Sequence, residues 1–138
     1  MRLPDWEKRL AEHFARSRAR AFGWGEFDCA LAVCEGIEAV TGVDPGKSYR
    51  GKYMSEKEAL ALIGGDLGTF VAGIAGELEF RELRPTFARR GDVVLVDNGD
   101  PTHALGTADL SGRFAWCASE RGFIRVPMKY WLRAWKIE

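Results

Sequence analysis

The stretch Ala21–Gly42, AFGWGEFDCALAVCEGIEAVTG, decides how the rest of the chain is read. Its first part is loop: Phe22, Gly23, Trp24 and Gly25 mix aromatic rings with glycine and lead into Phe27-Asp28-Cys29. From Ala30 the pattern changes. Leu31, Val33, Cys34, Ile37, Ala39 and Val40 recur at the spacing of an amphipathic helix. Asp28 offers a side-chain oxygen to cap the first turn, and Gly42 suits the left-handed residue past the last turn. The spacing therefore predicts a helix over Cys29–Thr41. Cys29 falls in its first turn, where unpaired backbone N–H groups and the positive end of the helix dipole favour a thiolate. Two roles fit that position: a nucleophile, or a small buried residue that seats the helix on a sheet.

Outward from this stretch, helices come first and strands second. Pro4 and Asp5 start a helix that carries Trp6, Leu10 and Phe14 on one face, with Ala11 beside them, and runs to about Arg20. His13 lies on its flank near Phe14, as a surface or packing residue rather than a ligand. After Gly42, the turn-rich Val43-Asp44-Pro45-Gly46-Lys47 leads to Tyr49 and Tyr53, which anchor a loop on the core or wall a substrate. Ser55 and Glu58 match a capping box for a short helix, Glu56–Ile63, closed by Gly64-Gly65. Asp66 caps a second, Leu67–Ala75, with Leu67, Phe70, Val71 and Ile74 as its stripe. These two form a small helical insert at about residues 44–76.

From Leu78 the apolar period shortens to two, and Leu78, Phe80 and Leu83 suggest a short strand that Pro85 breaks. After the Arg90-Gly91-Asp92 turn, Val93-Val94-Leu95-Val96 is a continuous apolar run, expected to be buried on both faces. Asp97-Asn98-Gly99-Asp100-Pro101 turns the chain into His103–Ala108. Further strands follow over Arg113–Ala118 and Phe123–Val126. Pro127 leads into Tyr130–Trp135, a short helix or an edge strand. The class is α+β, with N-terminal helices packed on a C-terminal antiparallel sheet.

At 138 residues the chain makes one domain, 1–138, with a sizeable core. Twenty basic residues balance twenty acidic ones, so no overall field draws it to nucleic acid or an anionic membrane. The basic run Arg16-Ser17-Arg18-Ala19-Arg20 and the pair Arg89-Arg90 read as solvated surface. Three cysteines without a C-x-x-C pair argue against a disulfide framework and for synthesis in a reducing compartment. Zinc would have to draw on His13, Cys29, Cys34, His103 and Cys117, and none of these has structural-site spacing. No cofactor motif is present. MRLPDWEKRL lacks the apolar run of a signal peptide, and no stretch approaches a membrane span. The expected place of synthesis is the cytoplasm.

A cysteine at a helix N-terminus, followed later by a histidine at the start of a strand, is the layout of a thiol–imidazole pair. The histidine takes the thiol proton and returns it to the leaving group. Cys29 and His103 are the candidates, although His103 also fits a structural role.

These residues resemble the NlpC-type cysteine peptidases. Phe22-Gly23-Trp24-Gly25 with Phe27-Asp28-Cys29-Ala30 is similar to their Y-x-W-G-G…F-D-C-S-G signature. Arg90-Gly91-Asp92-Val93-Val94 resembles their P-G-D-L-V strand, and His103-Ala104-Leu105-Gly106 their H-V-G-I strand. The three occur in the family's order across most of residues 21–118. The aromatic N-terminal helix and the Leu132-Arg133-Ala134-Trp135 ending look more like a phage and prophage branch encoded among tail genes. The resemblance implies a papain-like fold with Cys29 as nucleophile, His103 as general base and the Cys29 backbone N–H as part of an oxyanion hole. It also implies peptides of the bacterial cell wall (peptidoglycan) as substrate, tail-tip proteins as partners and the virion as destination.

The chain departs from that pattern at three places. Phe22 stands where the family has a tyrosine whose hydroxyl lines the site. Ala30-Leu31 replaces a small polar pair. The strand expected to carry a third, histidine-orienting residue reads Phe114-Ala115-Trp116-Cys117-Ala118, so that residue is unknown; Cys117, Ser119 or Glu120 would need a shifted register. A pair without its orienter keeps reduced activity. The rival expectation is an inactive structural or adaptor protein of a tail tip, with Tyr130, Trp131 and Trp135 either docking a partner or packing in the core.

Overall fold

The computed structural model describes residues 1–138. Four helices precede and flank a six-stranded antiparallel sheet, so the fold is α+β. The helices are α1 (Trp6–Ser17), α2 (Cys29–Thr41), α3 (Glu56–Leu62) and α4 (Leu67–Leu78). The strands are β1 (Glu82–Leu83), β2 (Val93–Val96), β3 (Ala104–Ala108), β4 (Phe114–Ser119), β5 (Gly122–Pro127) and β6 (Trp131–Trp135). Their order across the sheet is β1-β6-β2-β3-β4-β5.

The central helix has the bounds its sequence predicts. The Asp28 side chain accepts a hydrogen bond from Leu31 N–H, and Gly42 closes the last turn at φ 85°, with its N–H on the Glu38 carbonyl. Apolar residues surround most of α2, and nine of its thirteen are buried. It is therefore a core helix, packed between α1 and the face of β3 and β4. The Gly36 position permits this contact, since a Cβ there would meet Thr107 Oγ1 at 3.0 Å.

The sheet is buried on both sides. One core joins Leu10, Val33, Ile37 and Val40 to Val93, Leu95, Leu105 and Trp135. The other gathers Val94, Val96, Ala104, Ala115, Val126 and Trp131. Alternate residues of β2 enter opposite cores, which explains its unbroken apolar run. On the second side the sheet curls over itself. Trp131 Nε1 on β6 donates to the Val126 carbonyl on β5, although three strands lie between them in the sheet order.

Several expectations need correction. The strand expected from Leu78 is instead the end of α4, whose stripe continues through Ala75 to Leu78 at helical spacing. Glu79 reverses the chain in the left-handed region at φ 60°, Phe80 drops into the core, and only Glu82 and Leu83 pair as β1. Helix α1 ends at Ser17, three residues before Arg20, and α3 ends at Leu62, with Ile63 as its cap. The aromatic tail is neither a helix nor an edge: after a 3-10 turn at Met128–Tyr130, β6 runs between β1 and β2. Trp131 and Trp135 are buried in the two cores, and Tyr130 is the one tail aromatic left exposed. No single helix is long and apolar enough to cross a membrane.

Candidate active site

The loop before α2 is fixed by one buried carboxylate. Asp28 Oδ1 accepts from Leu31 N–H at 2.9 Å, and its Oδ2 accepts from Gly25 N–H at 3.1 Å and from the Tyr53 hydroxyl at 2.5 Å. Gly25 sits at φ 80°, and a Cβ there would lie 2.1 Å from the Tyr53 carbonyl oxygen, so only glycine fits this approach. Gly51 N–H donates to the Gly25 carbonyl at 2.8 Å. The segment around Tyr53 is thereby tied to the glycine loop, and Cys29 follows directly in the first turn of α2. Tyr53 does anchor a loop, as the sequence allowed, yet its ring also lines the cavity beside Cys29.

His103 is held from the other side, one residue before β3. Asp97, Asn98 and Asp100 each accept a backbone N–H two residues on, from Gly99, Asp100 and Thr102 at 3.0 Å. These successive side-chain turns stiffen the loop. His103 N–H donates to the Asp100 carbonyl at 2.9 Å, and the residue takes φ 59°. Glu79 is the only other non-glycine residue in the left-handed region. Such a conformation costs of order 1–3 kcal/mol and persists where surrounding structure enforces it, most often at functional sites. His103 Nδ1 is buried with no hydrogen-bond partner. An unpaired polar atom of this kind calls for an explanation.

Cys29 and His103 therefore reach one place from distant parts of the chain. Both line a cavity of about 410 Å3 that extends over β4 and β5 past Asn98, Ser119, Glu120 and Arg121. Phe22 and Trp24 form another wall and pack edge to face at 5.0 Å. No hydrogen bond joins the thiol to the imidazole.

The thiol does not rest as the helix position alone predicts. Burial pushes it up to about 11, and the nearby Asp28 charge acts in the same direction. The backbone N–H groups of Leu105 on β3, and of Ala30 and Cys29 at the helix start, pull the other way, and burial outweighs them. Cys29 is therefore protonated at neutral pH.

Nothing on β4 orients His103. Cys117 and Ser119 line the larger cavity, but the Ser119 hydroxyl is committed to the Gly122 carbonyl at 2.8 Å. His13 is a packing residue, 2% exposed between Phe14 and Phe123, with Nδ1 3.4 Å from Ser17 Oγ. No three His, Cys, Asp or Glu side chains gather in an arrangement that could hold a metal ion. Sequence reasoning assigned no site role to Glu56, Ala59, Leu60, Ile63, Leu67 or Thr102, all of which line a smaller cavity beside Cys29. Only Thr102, adjacent to His103, carried a local signal.

No curated protein matches this sequence. The model of a family described as a domain of unknown function, DUF6950, matches residues 1–137, and the chain belongs to that family.

Proposed function

We propose that the chain is a small papain-like cysteine hydrolase of NlpC type, acting on peptides of the bacterial cell wall as a phage or prophage tail component. The observation that carries this reading is the meeting of Cys29 and His103 on one cavity, with His103 in a strained backbone and its buried Nδ1 unpartnered. The three motif resemblances supply the substrate class, and the aromatic N-terminal helix with the Leu132-Arg133-Ala134-Trp135 ending supplies the tail setting.

Because the thiol rests protonated, attack is coupled to proton transfer rather than started from a standing ion pair. Cys29 Sγ bonds to the scissile carbonyl carbon as His103 takes the thiol proton. The negative charge gathers on the carbonyl oxygen, and the backbone N–H of Cys29 donates to it. The C–N bond then breaks, and His103 gives its proton to the departing amine nitrogen, leaving a thioester. Water attacks that thioester while His103 accepts its proton. The C–S bond breaks, and the proton returns to Cys29. An amine in place of water would make the same site an acyl transferase.

The second reading is a catalytically inactive adaptor of a tail tip. Two observations favour it: the thiol held near 11 by burial, and the absence of a side chain orienting His103. The experiment that separates the readings is the pH dependence of Cys29 alkylation by iodoacetamide, followed at the site by mass spectrometry in wild type and His103→Ala. The hydrolase reading expects Cys29 to react at pH 7, with His103→Ala slowing it at least tenfold. Equal alkylation rates in the two proteins across the pH range, or a Cys29 that stays inert, leave the adaptor.

A further inference from the structure

A second, smaller cavity opens beside Cys29 and His103 and runs the other way, beneath α3. Its volume is about 60 Å3, and eight of its twelve lining residues are hydrophobic. Trp24, Ala30, Ala59, Leu60, Ile63 and Leu67 form its walls. Of its polar lining, the Tyr53 and Thr102 hydroxyls are already engaged, while Glu56 and His103 also line the larger cavity. The Tyr53 hydroxyl donates to Asp28, and Thr102 Oγ1 donates to Asp100 Oδ1 at 2.9 Å. Tyr53 thus presents ring carbons to the cavity, and a polar guest packed among Ala59, Leu60, Ile63 and Leu67 would lose its hydration without gaining a partner there.

The two cavities share Trp24, Cys29, Glu56, Thr102 and His103. A molecule lying across Cys29 therefore meets unlike surroundings on its two sides. The open side carries Asn98, Ser119, Glu120 and Arg121 and suits a polar chain. The enclosed side suits a small apolar group. Its 60 Å3 is less than half of the ~150 Å3 cavity known to take a benzene ring.

We infer that the pocket beneath α3 is a specificity site that receives a short aliphatic side chain of the substrate, next to the bond that Cys29 attacks. The inference rests on the hydrolase reading for its purpose, though not for its binding chemistry. Leu60 is one wall of the pocket. It is the only partly buried member among Ala59, Leu60, Ile63 and Leu67, so its truncation enlarges the space with least damage to the core.

The test is methyl NMR of the intact protein, titrated with propionamide, butyramide and benzamide. The expected result is a shift of the Leu60, Ile63 and Leu67 methyl signals by the aliphatic amides, with butyramide binding about fourfold more tightly than propionamide for its extra methylene. Benzamide should leave those signals unmoved in wild type and shift them in Leu60→Ala. A methyl set that ignores all three amides, or that takes benzamide as readily as butyramide in wild type, overturns the inference. The wild-type series decides the matter alone if Leu60→Ala does not fold. Chain-length-dependent binding beside an inert Cys29 would remove the hydrolase and keep the pocket. A reactive Cys29 without such binding would do the reverse.

Discussion

Two buried aspartates hold this molecule together, and they are built differently. Asp92, fully buried at the entry to β2, accepts from the Arg2 guanidinium at 2.9 Å, from Ile137 N–H at 3.0 Å and from Arg89 N–H at 2.8 Å. Arg2 reaches further, to the carbonyls of Arg90 and Ile137, so one ion pair ties both ends of the chain to the start of the sheet. Asp28, at the start of α2, has three donors as well, but none is a cation. A carboxylate paired with a cation stabilises and does little else. One solvated only by neutral dipoles keeps its field, and that field falls on the neighbouring Cys29 thiol. The same residue type thus serves closure in one place and chemistry in the other.

The largest effect expected from breaking the comparison lies at Asp92. Asp92→Ala strands the partly buried Arg2 charge and should cost about 3–5 kcal/mol in urea unfolding. A loss below ~1 kcal/mol would show that the ion pair does not close the fold. A buried base sharpens the contrast next. Burial first, and then Arg16 and Arg20, lower His13 to about 4. The unfolded chain takes up a proton near pH 6.5 that the folded state refuses until about pH 4. Stability should therefore be full above pH 6.5 and fall by on the order of 3 kcal/mol on acidification to pH 4. His13→Gln should flatten that part of the profile, and an unchanged slope would assign it to other groups. The smallest effect belongs to Asp28→Asn. Asparagine keeps the cap through its Oδ1, but its amide N–H replaces the oxygen that accepts from Gly25 N–H and the Tyr53 hydroxyl, so the loss of stability should be about 1–3 kcal/mol. Removing the negative charge favours the thiolate, so alkylation of Cys29 should shift to lower pH. A shift to higher pH would mean that Asp28 aids the thiolate through the loop it fixes.

What the sequence made legible was local. Asp28, the apolar spacing of α2 and Gly42 define a helix within one segment, and its bounds agree with the structure. The Val93–Val96 run was equally self-contained. The segment from Leu78 misled because Leu78 and Phe80 lie two apart, yet Leu83 breaks that period and Leu78 continues the helical spacing of Ile74 and Ala75 in α4. The candidate site was half legible. Cys29 and His103 stood out by residue type and placement. The Tyr53 bond to Asp28 joins residues 25 positions apart and leaves no local mark. The height of the thiol pKa was hidden for a related reason. Helix position argues downward from the first turn alone, whereas burial comes from the two cores against which Cys29 packs.

The interior place of β6 bears on how the molecule is made. During synthesis β2 emerges well before Trp131–Trp135, and until β6 docks, Val93–Val96 is a flat apolar edge with open backbone groups. Pairing of β2 with β6 joins Val93 to Trp135, and the Arg2 bond to the Ile137 carbonyl joins residues 135 positions apart. Such distant closure slows folding, and an exposed strand edge invites pairing with another copy in the meantime. The late strand is thus a timing element: its arrival converts a partner-seeking edge into the middle of a finished sheet.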